Sequence, residues 1–132
     1  MSKTLEYSVS TNSRTELVRI DHLIDKAIKE SDVTDGICTV FVPHTTAGVT
    51  INENADPDVV SDILKELNKV IPFSDNYAHS EGNSAAHIKS SLVGCSLSIF
   101  VESGTLKLGT WQSVYFCEFD GPRRRKVWIK II

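Results

Sequence analysis

The chain has 132 residues, 41% hydrophobic and 23% charged, with a formal net charge of −3. That length suits one domain, over residues 1–132, and suffices to bury a core without disulfides or a structural metal. The mild acidity excludes a global field favouring nucleic acid or an anionic membrane. No apolar run approaches the ~20 residues that span a bilayer, and no apolar signal region follows Met1, so the expected location is cytoplasmic. Cys38, Cys95 and Cys117 are odd in number, widely spaced and set in apolar runs, and read as free, buried thiols of a reducing compartment.

In chain order, residues 5–9 and 14–20 alternate at period two and predict strands. Thr11-Asn12-Ser13 between them is turn chemistry, which predicts a hairpin. Asp21 suits the N-cap of a helix whose apolar stripe is Leu23, Ile24, Ala27 and Ile28. After Asp35-Gly36, residues 37–42 are almost continuously apolar and predict a strand buried on both faces; residues 48–52 predict another. The clearest helix has Asp56 as cap, Pro57 at its first position and an apolar face from Val59 to Val70, and Pro72 stops it. Residues 73–82 read as a loop. A short helix follows from Asn83 to Gly94, with Ala85, Ile88 and Leu92 facing inward. The remainder is β-rich, with strands at 95–101, 110–119 and 126–132 and turns at Ser103-Gly104 and Asp120-Gly121-Pro122. Strands interspersed with two or three helices, without regular strand–helix alternation, predict an α+β domain with mixed or antiparallel sheets.

The residues that carry chemistry fall in three clusters. His79-Ser80-Glu81-Gly82-Asn83, with His87 a few residues on, places two imidazoles, a carboxylate and an amide at a loop-to-helix junction. Imidazole is the commonest metal-binding side chain, and Glu81 suits a ligand, a partner orienting a ligating ring, or a general base. The spacing is not that of a helical zinc-protease motif. His87 and Asn83 stand at a helix start, where free N–H groups attract anions as readily as the rings attract a metal. His44, followed by Thr45, sits where an apolar strand opens into a loop, a favoured place for binding residues; the ordinary alternative is a loop histidine bonded to backbone. In Arg123-Arg124-Arg125, Arg123 and Arg125 share a strand face and suit a phosphate clamp, with Arg124 pointing away; the alternative is a solvated basic turn. Trp111 reads first as core packing, and Gln112 faces the other way, free to reach a ligand.

Five segments resemble the YjbQ-like family in the family's order along the whole chain. They are Pro43-His44-Thr45-Thr46-Ala47, Asn52-Glu53-Asn54-Ala55-Asp56-Pro57, His79-Ser80-Glu81-Gly82-Asn83 with Ala86-His87-Ile88, Leu108-Gly109-Thr110-Trp111-Gln112 and Phe119-Asp120-Gly121-Pro122-Arg123. Members of that family are linked to a secondary thiamine-phosphate synthase activity. The resemblance implies a compact α+β domain assembling as a homotrimer with clefts between subunits. It also implies that His44, His79 and His87 lie near a divalent metal or anion site. In such a site His44 and Glu81 would act catalytically, Arg123, Arg125 and Asn83 would hold phosphate, and Thr45, Trp111 and Gln112 would contact substrate, Trp111 by stacking. Three histidines suit zinc better than magnesium, whereas a diphosphate-handling site favours magnesium on carboxylates. The expected function is therefore a thiamine-phosphate synthase or related enzyme acting on a phosphorylated small molecule. The alternatives are a metal-dependent hydrolase or lyase and a non-enzymatic metabolite- or metal-binding protein.

Overall fold

A computed structural model describes residues 3–132. The elements run β1 (Leu5–Ser10), β2 (Glu16–Arg19), α1 (Asp21–Ser31), β3 (Gly36–Phe41), β4 (Ala47–Glu53), α2 (Pro57–Val70), α3 (Ser84–Val93), β5 (Ser96–Glu102), β6 (Thr105–Leu106), β7 (Gln112–Glu118) and β8 (Arg124–Ile131). They build an α+β fold of two sheets, five-stranded in the order β1-β8-β3-β5-β6 and three-stranded in the order β2-β7-β4. Adjacent strands are antiparallel.

Strand alternation explains how two sheets yield two apolar clusters. Val114 and Phe116 of β7 face the five-stranded sheet and join Val40, Val127, Ile129 and Ile131, with Ile24, Ala27 and Ile28 of α1 sealing the same core. Cys117 points the other way and packs with Phe119, Ala86 of α3 and, less deeply, Leu67 of α2. The three-stranded sheet is thus covered on both faces.

Several expectations change. The predicted hairpin does not form: β1 pairs with β8 and β2 with β7, in different sheets. Thr11 makes the crossing, donating its N–H to Arg123 O at 3.0 Å. Gly121 permits this close approach, because a Cβ there would stand 2.4 Å from Ser13 O. Asp21 does not cap α1, whose N-cap is Ile20; its Oδ1 instead accepts the Val114 N–H at 2.8 Å. β3 is buried on one face only, with Ile37 and Phe41 exposed on the outer side of the sheet. α3 is rotated relative to expectation. It turns Ala85, Ala86, Lys89 and Ser90 inward and leaves Ile88 and Leu92 exposed, because small residues let it sit close enough for Ser90 Oγ to donate to Ala47 O at 2.6 Å.

The connection from α2 to α3, residues 71–83, is long for a helix–helix link and is tied down through its first residues. Phe73 carries two cations on its ring, with Arg14 Cζ 4.1 Å and Lys89 Nζ 4.3 Å from the centroid. Lys89 is fully buried and donates to Asn68 Oδ1 at 2.6 Å. Burial, then the nearby Arg14 charge, push its ammonium below the usual lysine range.

At one end of the sandwich the two sheets are bridged by an ion pair. Arg125 of β8 is 2% exposed and Glu118 of β7 is 0% exposed. Arg125 Nε donates to Glu118 Oε1 at 2.9 Å and its Nη2 to Oε2 at 2.5 Å. Thr11 Oγ1 donates to Oε1 at 2.8 Å and the Asp120 N–H to Oε2 at 3.0 Å. Burial alone would push the Glu118 carboxyl up, but hydrogen bonds from Arg125, Asp120 and Thr11, with the Arg125 charge, outweigh it and hold the carboxyl below its ordinary range. A depressed carboxylate contributes stability present above the ordinary carboxyl range and lost as pH falls through the folded value. Glu118→Ala, which strands a buried guanidinium, is expected to cost about 3–5 kcal/mol in denaturant unfolding at neutral pH. A cost below about 1 kcal/mol would show that the pair does not hold the sheets together.

Candidate functional site

The chemistry gathers at the same end of the sandwich, around the β3–β4 connection that carries His44, Thr45 and Thr46. A cavity of about 480 Å³ lies there, lined by Arg14, Thr45, His79, Asn83, His87 and Arg123 among others. His79 reaches it from the 71–83 connection and His87 from the first turns of α3, so their rings meet edge to face with centroids 5.5 Å apart. Glu81 lies at the rim, its side chain 73% exposed and its Oε2 3.9 Å from His79 Nε2. Asn83, the N-cap of α3, makes no side-chain capping bond. Its Nδ2 donates to Asp120 Oδ2 at 3.0 Å, while its Oδ1 is shut from solvent with no partner among the described residues. Arg123 is held beside it, Nε donating to Asp120 O and Nη2 to Asp120 Oδ2, both at 2.9 Å.

His44 stands next door and is committed to the backbone. β3 ends at Phe41, opposite Trp128, and beyond that end the Lys126 N–H of β8 has no strand partner on this side. His44 Nε2 takes it at 2.9 Å. An imidazole that accepts at Nε2 carries its proton at Nδ1 when neutral. Burial, then the Arg125 charge, push the ring below its ordinary pKa of 6.5, with Glu118 only partly opposing them. His44 is therefore a neutral, fixed N–H donor. It shares a smaller cleft of about 340 Å³ with His87 and Cys95.

This geometry decides how far the expected metal centre fits. His79 and His87 are neighbours, but His44 has spent the lone pair of Nε2 and holds a proton on Nδ1. Among the described residues no group of three or more His, Cys, Asp or Glu side chains is placed to hold a metal ion. Among the described residues, His44, His79 and His87 do not form a three-histidine centre.

The other expected residues divide. Thr45, Asn83 and Arg123 line the His79–His87 cavity. Arg125 does not: buried against Glu118 and Thr46, it lines a neighbouring cavity instead. The sharing of one face with Arg123 fails because Arg123 lies in the turn before β8 and bends back to Asp120. Trp111 and Gln112 are further removed. β4 and β7 pair over seven residues, with Ala47 opposite Glu118 at the histidine end and Glu53 opposite Gln112 at the other, a separation of roughly 20 Å. There Trp111 is 62% exposed, not core, and Gln112 Oε1 accepts the Gly109 N–H at 2.7 Å. Arg14 and Asp120, conversely, carry no sequence signal for a site: Arg14 follows polar turn residues with nothing but its charge to mark it, and the turn alone accounts for Asp120. All three cysteines are free, Cys38 and Cys117 buried and Cys95 half-buried; burial pushes both buried thiols up to about 12.

Similar proteins share both the sequence and the fold. The family model described as UPF0047 protein YjbQ-like matches residues 5–132. A UPF0047 protein of Methanocaldococcus jannaschii is 58% identical over 127 residues, covering 96% of this chain and 92% of its own. The UPF0047 protein YugU of Bacillus subtilis is 49% identical over 133 residues, covering 100% and 99%. Among solved structures, an uncharacterized conserved protein of the YjbQ/UPF0047 family from Clostridium acetobutylicum superposes with a TM-score of 0.95 at 59% identity, covering 97% of this chain and 99% of its own. A YbjQ-like protein of unknown function from Sulfolobus solfataricus superposes with a TM-score of 0.94 at 30% identity, covering 99% and 96%. With the family model spanning nearly the whole chain and the fold kept down to 30% identity, the protein belongs to the YjbQ-like UPF0047 family.

Proposed function

We propose that the protein is an enzyme acting on a phosphorylated small molecule, whose phosphate enters the cavity between His79, His87, Asn83, Arg14 and Arg123. The observation that carries this reading is the convergence of two imidazoles and two guanidiniums, from three separated chain segments, on one cavity of about 480 Å³ at a helix start, where the Asp120 carboxylate is taken up by Arg123 and Asn83 and Glu81 stays at the exposed rim. Asn83, the N-cap of α3, lines this cavity, and the start of a helix favours anions. Arg123 is turned by its Asp120 bonds, so its planar fork is preorganised rather than free.

Formation of thiamine phosphate is the specific reaction proposed, by family resemblance. In it the thiazole nitrogen attacks the methylene of a pyrimidine methyl diphosphate. The C–N bond forms as the C–O bond breaks, and diphosphate leaves with the electron pair. Stabilising that departing charge is what fixed cationic and N–H donors do best. A divalent metal, where the reaction uses one, would neutralise the diphosphate; no step here is assigned to a metal held by three histidines, since one chain does not supply them. His44 serves as a neutral donor to the bound molecule. We further propose a homotrimer, supported by the outer face of the five-stranded sheet, where Ile37, Phe100 and Trp128 are all exposed.

Titration with inorganic phosphate, followed by NMR of the imidazole resonances, is expected to move His79 and His87 saturably. Arg123→Ala should weaken phosphate binding about tenfold or more, and Arg124→Ala should leave it unchanged. Equal losses at both positions would mean a nonspecific basic surface. Incubation with pyrimidine methyl diphosphate and thiazole phosphate in excess magnesium is expected to release pyrophosphate; no release would end the thiamine-phosphate reading. For His44, the depressed folded pKa means that its contribution to stability is full above about 6.5 and declines as pH falls through the folded value. Stability should therefore fall less between pH 7 and pH 5 in His44→Gln than in the wild type; parallel profiles would show that His44 titrates normally.

A further inference from the structure

A second cavity, of about 510 Å³, adjoins the phosphate cavity, with Thr45, Thr46 and Arg123 lining both. Its character is different. Phe41, Val42, Pro43 and Cys95 give it apolar lining, and His44 and Arg125 give it polar lining. Arg125 Nε and Nη2 are consumed by Glu118 and Thr46, while Nη1 makes no hydrogen bond among the described residues. Nη1 is not among the polar atoms shut away without a partner, and Arg125 lines this cavity. His44 Nδ1–H is likewise unclaimed, since the ring's bond to the chain is made at Nε2. Two N–H donor groups thus line a largely apolar cavity, and both are held by bonds to the chain. The Arg125 charge is matched by the Glu118 carboxylate and that of Arg123, at the border with the first cavity, by Asp120, so the His44 and Arg125 donors offer hydrogen bonds without an unmatched positive charge.

The geometry points to a subsite for a flat, uncharged group bearing a hydrogen-bond acceptor, such as a heteroaromatic ring or an aromatic carbonyl. Resting on the proposed phosphate cavity beside it, this makes the substrate two-lobed, with phosphate near His79 and His87 and a neutral acceptor-bearing ring against His44 and Arg125. Apolar walls with a few fixed polar groups are the ordinary makings of small-molecule recognition. An acceptor that leaves no donor unpaired gains selectivity over an analogue lacking it. A second phosphate is disfavoured there because the carboxylate behind Arg125 cancels the attraction that would offset desolvating the anion.

The test uses acetophenone, an aromatic ketone with an acceptor and no donor, against benzylammonium, an aromatic cation with donors only. On the full chain, acetophenone is expected to shift the backbone amides of Val42 and Cys95 and the Nδ1–H of His44 saturably, and benzylammonium is not. Acetophenone should bind equally well with inorganic phosphate present, and mutual exclusion would overturn the two-lobed site. Cys95→Phe, which fills the apolar side, should weaken acetophenone at least tenfold while phosphate still moves His79 and His87. Should that variant fail to fold, His44→Phe keeps a ring, removes the donor and should give a similar loss. Acetophenone binding unchanged in the folded variant, or equal binding of benzylammonium, overturns the inference. Acetophenone failing while phosphate binds normally removes this subsite alone. Phosphate failing while acetophenone binds removes the reading of the neighbouring cavity and the two-lobed substrate with it.

Discussion

Everything at the functional end of the molecule is hung on the contact between Glu118 and Arg125. The two residues close the sandwich where β7 leaves one sheet and β8 joins the other. Their hydrogen bonds extend to Thr11, Thr46 and the Asp120 N–H. Each of these sits beside a site element: Thr11 on the Arg123 backbone, Thr46 after His44 and Thr45, Asp120 between Arg123 and Asn83. A buried ion pair is weak evidence of net stabilisation by itself. Its consequence here is geometric, because four chain segments must meet for every charge and lone pair to be satisfied.

That constraint explains why neighbouring cationic residues have different roles. Arg125 faces the interior in β8 and is matched by a carboxylate, so only one guanidinium nitrogen remains for a ligand. Arg123 lies outside the strand, turns back on Asp120 and stays half-exposed beside the two imidazoles. Arg14 comes from the β1–β2 connection and shares Phe73 with Lys89. In this way the long link carrying His79 and Glu81 is tied to the body at Phe73, on charges that belong to the site's own surroundings. Arg14 thus both anchors the link and lines the cavity.

The histidines show the same economy. His87 is placed by α3, His79 by the link preceding it, and their rings meet because both segments pack over the β3–β4 connection. His44 is employed first as a backbone partner, filling the gap that opens when β3 ends three residues before it. An imidazole used this way has one proton position left when neutral, which makes it a donor and removes it from any simple set of metal ligands. The chain belongs to a family whose fold persists down to 30% identity.

What the sequence determines is local. The Asp56-Pro57 start of α2, confirmed by the Asp58 N–H donating to Asp56 Oδ1 at 2.9 Å, rests on backbone groups within one turn and is legible without tertiary context. So are the period-two strands and the Asn83-to-Gly94 limits of α3. The association of His79, Asn83 and His87 is also legible, since they lie within nine residues. Tertiary structure decides whatever depends on partners far along the chain. Thr11 crosses between sheets because of Glu118 and Arg123, more than a hundred residues away. Arg125 is withdrawn from the His79–His87 cavity, and Trp111 lies at the other end of the β4–β7 pair, because pairing register sets distance where motif order along the chain does not. Arg14 enters the site with no local signal at all, since its role is created by Phe73 and a cavity built from other segments.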